Sequence, residues 1–402
     1  MNGVFLLSSL SLINFYKSVK QFKIRCSSLP KTGVAELPLH GGKAPRWLFS
    51  RMEKLAAGIV EAVVLELGED VLLARLSDPF WFQAFSCVLG YDWHSSGTTT
   101  VTCGALKSTL DPERHGIFIA GGKGKVSRKA PSEIMTGCDF FNLSSEKSET
   151  LVYSSKMSAK VDNTAVQDSY QLYHHVFIFT EKGKWCVIQQ GMNPENKYAR
   201  RYHWLSDSLE SFVCEPHNAI IGEKETTRVL DMTSRESDEA QRISVDLLRD
   251  SPKKLKNIVK GVKKPGQSSL SDYGLEVKKA SLLSTLQMPT WINWNVIRAA
   301  YEFQPKNYEE MLGIKGLGPK TVRALALISE VIYGEPPSWK DPVKFSFAVG
   351  GKDGVPYPVD RKAMDESIEV LKNGIEEAKV GNKEKLGAIR RLSEFVPPDF
   401  EW

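Results

Sequence analysis

Two short runs, Tyr170–Thr180 and Trp185–Met192, are rich in β-branched and aromatic residues and are separated by the polar stretch Glu181-Lys182-Gly183-Lys184. That pattern is a β-hairpin. Pairing Thr180 with Trp185 in antiparallel register sets Val176 opposite Gln189, His175 opposite Gln190 and His174 opposite Gly191. Both faces of the two runs are apolar, so the hairpin belongs inside a sheet, with its polar end at the rim. Four of the chain's seven histidines, His174, His175, His203 and His217, lie in or just after it.

The flanking segments give the rest of the outline. After Pro45, the apolar positions Leu48, Met52, Leu55, Ile59, Val63 and Leu67 step by three or four residues, which predicts an amphipathic helix. Helices at Glu69–Leu76 and Phe80–Leu89 follow, the second stopped by Gly90. Tyr91–Thr100 reads as a hydroxyl-rich loop, continued by a small-residue segment to Lys107. Gly116–Ala120 reads as a buried strand that runs into Gly121–Lys129, a glycine-rich basic loop, before a helix opened by Pro131-Ser132-Glu133. Strand, glycine-rich loop and helix start is an order that cradles phosphates, with Lys123 and Lys125 as candidate contacts. The Walker spacing is absent, so no ATPase is expected. A helical patch is expected over Thr150–Met157, and Asp162 is expected to cap a short helix leading to Tyr173. Ala199–Leu205 reads as a basic, aromatic helix start, and Ala219–Ile221 and Val229–Met232 read as a strand pair.

At 402 residues and 42% hydrophobic content the chain is long enough for two or three globular domains. The net charge of +5 is modest, but the basic residues are uneven: Ser251–Lys264 contains no acidic residue. Six cysteines without a C-x-x-C pair suggest reduced thiols in a cytoplasmic protein rather than a zinc ribbon or disulfide framework. No segment reaches transmembrane length. The expected organisation is a leader or extension (1–30), an α/β core domain (31–233), a basic helical linker (234–285), a helical module (286–340) and C-terminal loop and helices (341–402). The fold class is α+β: a mixed α/β domain with a largely antiparallel sheet, followed by an all-helical module.

The most specific motif lies in that module. Asn307-Tyr308-Glu309-Glu310 starts a short helix, and Gly313-Ile314-Lys315-Gly316-Leu317-Gly318-Pro319-Lys320-Thr321-Val322-Arg323 leads into a second helix that stops at Gly334. This resembles the helix-hairpin-helix DNA-binding motif. Gly316 and Gly318 permit a tight turn that brings N–H groups to a phosphate at a helix N-terminus, and Lys315, Lys320, Thr321 and Arg323 can add backbone contacts.

From about Lys31 onward the sequence resembles a prokaryotic family of unknown function, largely from thermophilic archaea. The residues that carry the resemblance are Thr32–Lys43, Asp92–Gly97, Gly121–Lys125, Asp162–Asp168, His174–Thr180, Gln189–Met192, Ala199–Trp204 and Gly350–Arg361. The resemblance implies no settled activity. The residues themselves point to a nucleic-acid-processing protein, first a metal-dependent DNA phosphodiesterase. Its candidate catalytic residues are His175, Asp168, His174, Asp162 and Gln190, with Asp168, His175 and His203 as ligands for Mg²⁺ or Mn²⁺. Arg200 and Arg201 would clamp phosphate. The competing reading is a non-catalytic DNA-binding or repair-accessory protein that recognises a DNA end, junction or base, with the same cluster as a pocket. RNA is a further possible partner. A serine or cysteine hydrolase is disfavoured, because no G-x-S-x-G elbow is present.

Overall fold

The structure is a computed structural model that describes residues 37, 39, 44–91, 95–222, 229–262, 288–289, 292–343, 369, 371–376, 378 and 381–395. The leader, most of Thr32–Lys43, Asp92–His94 and Gly350–Arg361 lie outside the described residues. Residues from Thr32 onward form one compact unit.

Helices α1 (Arg46–Leu67), α2 (Glu69–Ser77) and α3 (Pro79–Val88) open it as the periodicity predicts. Met52, Leu55, Ala56, Ile59, Val60 and Val63 form the buried stripe of α1. At α3, Pro79 fills the first turn and the Asp78 side chain accepts from the amides of Phe80 (2.8 Å) and Trp81 (3.2 Å), a proper N-cap. The expected hydroxyl-rich loop is instead the start of α4 (Ser96–Thr109). Threonine is a weak helix former, but Thr98, Thr99, Thr102, Cys103, Ala105 and Leu106 are buried, so packing overrides propensity.

Strand β1 (Ile117–Lys123) runs through a 3₁₀ turn at Gly124–Lys129 into α5 (Ala130–Phe140), in the predicted order. Helix α6 (Ser145–Lys160) is longer than the expected patch and ends in a single π turn, Val161–Ala165. Asp162 lies within that turn and is not an N-cap. The remaining strands are β2 (Val166–Gln167), β3 (Gln171–Thr180), β4 (Trp185–Asn193), β5 (Tyr198–Leu205), β6 (Ala219–Ile221) and β7 (Leu230–Asp231). Ala199–Leu205 is therefore a strand and not a helix start. The predicted strand pair also separates, because β6 joins β5 while β7 pairs with β2.

Five strands form one antiparallel sheet in the order β1-β3-β4-β5-β6. The hairpin is real, but its register differs by one residue from the expected one: Phe179, not Thr180, faces Trp185, which sets His175 opposite Gln189 and His174 opposite Gln190. The Thr180 amide donates to the Lys184 carbonyl (2.9 Å) and Gly183 takes φ +84°, so only three residues make the loop. A three-residue loop with a left-handed glycine is a standard hairpin closure. At the opposite end, Gly121 (φ +88°) must be glycine, because a Cβ there would lie 2.2 Å from the His175 carbonyl oxygen.

The sheet is covered on both faces. On one, Val176, Ile178, Cys186, Ile188 and Leu205 pack in a core with α1–α4. On the other, Phe177, Phe179, Trp185, Val187 and Trp204 share a core with α5 and α6 and the C-terminal helices: α7 (Asp238–Arg249), α8 (Pro252–Val262), α9 (Trp294–Phe303), α10 (Tyr308–Gly313) and α11 (Pro319–Ile328). The last helix, α12 (Asn382–Phe395), returns to the first face through Ala388 and Leu392. The protein is thus mixed α/β with an antiparallel sheet and a helical C-terminal region. No helix among the described residues is long and apolar enough to cross a membrane.

Candidate functional site

Three doublets, His174-His175, Gln189-Gln190 and Arg200-Arg201, sit side by side on β3, β4 and β5. Successive strand residues point to opposite faces, so each doublet sends one member to each side of the sheet. Facing α6 are His175, Gln189 and Arg200. Facing α4 are His174, Gln190 and Arg201.

On the α6 face the hydrogen bonds run in one direction. Gln189 Nε2 and Trp204 Nε1 both donate to Asp162 Oδ2, at 2.6 and 3.0 Å. Gln189 Oε1 must then accept, so His175 Nδ1–H donates to it (2.8 Å) and the unprotonated His175 Nε2 accepts from the Ser155 hydroxyl (2.8 Å). His217 Nε2 completes the group 2.5 Å from Asp162 Oδ1. Burial pushes the Asp162 carboxyl up, opposed by His217 and Trp204. Burial also pulls the His175 imidazole down to about 4, against the Gln189 bond, which keeps it neutral. A hydroxyl donating to a neutral imidazole has the geometry of a nucleophile with its base. Yet Ser155, His175 and Asp162 are 2%, 6% and 0% exposed, out of reach of a substrate chain.

Beside it, Asp168 Oδ2 accepts from Arg200 Nη1 (3.0 Å) and the Tyr202 hydroxyl (2.7 Å), and Arg200 also pairs with both oxygens of Asp341 (3.0 and 2.8 Å). The guanidinium lies over the Tyr170 ring, 4.6 Å from its centroid. Burial works against the charge on Arg200, but Asp168 and Asp341 hold it above its ordinary value. Arg200 is thus held in an internal ion pair with two carboxylates.

The α4 face is built differently. Thr99 donates its hydroxyl to Gln190 Oε1, and Gln190 Nε2 donates to the Ser96 carbonyl (2.8 Å) and the Tyr173 hydroxyl (2.5 Å). Arg201 has neutral partners: Gln83 Oε1 (3.1 Å), Thr99 Oγ1 (3.5 Å) and the face of Phe82, 4.8 Å away. Burial pulls its guanidinium down to about 9. Among the described residues His174 and His203 are buried with no partner in hydrogen-bonding geometry for either ring nitrogen; burial pulls His174 down to about 3, helped by His175 and Lys123, and His203 well below the usual imidazole range, helped by Arg201 and opposed by the Leu76 backbone. The sheet therefore separates His203 from His175, and Asp168 is taken by Arg200 and Tyr202. Asp168, His175 and His203 do not converge, and among the described residues no three histidine, cysteine or acidic groups are disposed to hold a metal.

The glycine-rich hairpin lies elsewhere, between α10 and α11. Lys315, Gly316 and Lys320 are exposed, Gly318 is half-buried, and Leu317 is fully buried as the anchor. Gly316 takes φ +88°, which allows the tight turn. Two side chains fasten the turn: Lys160 donates to the Leu317 carbonyl, and Gln167 Nε2 to the Pro319 carbonyl (2.8 Å). Among the described residues the amides of Gly316 and Gly318 meet no acceptor. Thr321 is 4% exposed, packed inside, and Arg323 is half-buried with its guanidinium 5.3 Å from the Trp339 centroid. Of the other basic candidates, Lys123 and Lys125 are exposed, together with Arg128 and Lys129.

A family model described as "Protein of unknown function (DUF763)" matches residues 33–359. The chain belongs to that family. No curated protein and no solved structure matches it. For this member of the family, the sequence reading missed Ser155, Thr99, Gln83, Trp204, Tyr202 and Asp341 as partners of the cluster. Asp341 is 141 residues from Arg200 and carries no local signal. Ser155 is one of many serines in α6, whereas Trp204, with its obligatory indole donor inside an apolar run, was a legible clue.

Proposed function

We propose that this protein binds duplex DNA through the Ile314–Thr321 turn acting as a helix-hairpin-helix element, with the Gly124–Lys129 turn as a second basic contact. The observation that carries the reading is the exposed glycine turn at the N-terminus of α11, whose Gly316 and Gly318 amides meet no acceptor among the described residues, flanked by exposed Lys315 and Lys320. Backbone amides and lysines in that arrangement suit phosphate oxygens, and such contacts hold a duplex without reading its sequence. The turn is rigid where it meets the protein, because Leu317 is buried and Lys160 and Gln167 hold its carbonyls. A fixed donor array loses little entropy on binding.

The central cluster then stabilises the scaffold that presents the turn. A metal-dependent phosphodiesterase, using Mg²⁺ or Mn²⁺ at His175 and Asp168, is the competing reading. Its support is the density of imidazole and carboxylate, which is buried and internally paired. The deciding experiment incubates the full chain with labelled double- and single-stranded DNA and RNA in Mg²⁺, Mn²⁺ or EDTA, beside His175→Ala and Asp168→Ala variants. Salt-sensitive duplex binding without cleavage is expected. Absence of duplex binding contradicts the proposal, and metal-dependent cleavage lost in folded variants replaces it with the nuclease reading.

A further inference from the structure

Helix α8 carries four lysines, Lys253, Lys254, Lys256 and Lys260, and no acidic residue. Its apolar side, Leu255 and Val259, is buried in the core shared with α9 and α11. At about 100° per residue, Lys253, Lys256 and Lys260 fall on one side of the helix, opposite that buried pair, and all three are exposed. They line about 10 Å of helix. Lys254 stands off this line and pairs with Asp250 (2.6 Å). Among the described residues Lys253, Lys256 and Lys260 pair with no acidic group.

Packing brings this stripe toward the hairpin turn. Gln304, just past the C-terminal end of α9, donates its Nε2 to the carbonyl of Arg249, shortly before α8 (3.3 Å). Lys256 Nζ lies 5.9 Å from the ring centroid of Trp294, the first residue of α9. The two helices therefore run antiparallel, and Lys260 lies toward the N-terminal end of α9. That end supports the turn, since a Cβ on Gly316 would sit 3.0 Å from Val296 Cγ2 in the first turn of α9. The stripe thus ends on the side of α9 that carries the glycine turn with its exposed Lys315 and Lys320. The acids Asp250 and Glu302 lie at the other end of the helix pair, and Glu309 and Glu310 of α10 accept from the Tyr153 hydroxyl (2.5 Å) and the Lys306 amide (2.8 Å).

We infer that, given duplex binding by the α10–α11 turn, the Lys253, Lys256 and Lys260 face of α8 is a further phosphate-binding surface that takes the backbone of the same duplex. One glycine turn offers few contacts, and a row of lysines beside it lengthens the tract of backbone held by charge. Trp294, the aromatic ring beside the row, is half-buried with Lys256 against it. The face therefore offers charge and no stacking platform at that ring, which suits a duplex backbone better than unpaired bases. Lysine ammonium groups on flexible stems make no demand on base sequence, so this surface adds affinity without specificity.

Fluorescence anisotropy of the full chain with a labelled DNA duplex, over a series of salt concentrations, tests this. The natural protein is compared with the triple variant Lys253→Ala, Lys256→Ala, Lys260→Ala, with Lys254→Ala, and with the turn variant Lys315→Glu, Lys320→Glu. The triple variant, with an unchanged melting temperature, is expected to bind at least tenfold more weakly and to lose about three units of the slope of logarithmic affinity on logarithmic salt. Lys254→Ala should bind within about twofold of the natural protein, because that lysine lies off the stripe and is paired. Equal affinity and slope in the triple variant, with binding weakened in the turn variant, overturns the inference and leaves the duplex-binding proposal standing. Weakening in the triple variant alone supports the α8 face and removes the turn as the contact. A natural protein that binds no duplex overturns both.

Discussion

The two regions that carry the most chemistry in the sequence are opposites in the structure. Around Asp162 and Asp168, histidine, glutamine, arginine and carboxylate are packed together, fully buried, with the α6-face donors aimed at a carboxylate or relayed toward one. Between α10 and α11, a short run of glycine and lysine is exposed, with amides that meet no acceptor among the described residues. Reactive residue types in the first region are spent on one another. Plain backbone in the second is left available. Composition draws attention to the first region, whereas accessibility favours the second as the proposed place for a partner.

That contrast predicts a separation of effects: changes at the centre cost stability, and changes at the turn cost binding. Asp168→Ala should have the largest effect, because it leaves the buried Arg200 and Tyr202 short of an acceptor; a loss of about 3–5 kcal/mol in denaturant unfolding is expected. A loss below about 1 kcal/mol would show that the ion pair is not a structural unit. Acid should be nearly as damaging. The folded-state values of His174 and His175, near 3 and 4, lie below the ordinary imidazole value, so the unfolded chain takes up protons first. Their contribution is complete above about pH 6.5 and falls as pH drops toward 4, by up to about 1.4 kcal/mol per pH unit for each. Melting curves between pH 7 and 4 should be flatter for His174→Leu by one proton's worth of slope. Gly316→Ala comes next, at about 1–2 kcal/mol, since φ is +88° and the new methyl would sit 3.0 Å from Val296. Lys315→Ala with Lys320→Ala should change unfolding free energy by less than about 0.5 kcal/mol, because both residues are exposed.

Much of the scaffold was legible in the sequence, for identifiable reasons. Helices α1–α3 carry a clear three-to-four-residue apolar period and a Pro or Asp-Pro start, and the β3–β4 hairpin carries its own turn residues. The start of helix α4 was hidden because the buried positions of its first half are serine and threonine, which read as loop. Strand β5 was hidden because Arg200 and Arg201 are both buried, so no polar-apolar alternation marks its period of two. The candidate residues His174, His175, Gln190, Arg200 and Arg201 do gather at one end of the sheet. Their sides could not be read, since a one-residue slip in register sends every side chain to the opposite face. The three-residue loop at Glu181–Gly183 makes that slip. Partners such as Asp341 come from far along the chain and depend on how the C-terminal region returns to the sheet.

The most direct test of the account is the salt dependence of duplex DNA binding, followed by fluorescence anisotropy, for the natural protein and for Lys315→Glu with Lys320→Glu. The account predicts that logarithmic affinity falls linearly with logarithmic salt. It also predicts that the double variant, with an unchanged melting temperature, binds at least tenfold more weakly and loses about two units of that slope. Equal affinity and equal slope in the two proteins would contradict it, and would move any nucleic-acid contact away from the α10–α11 turn.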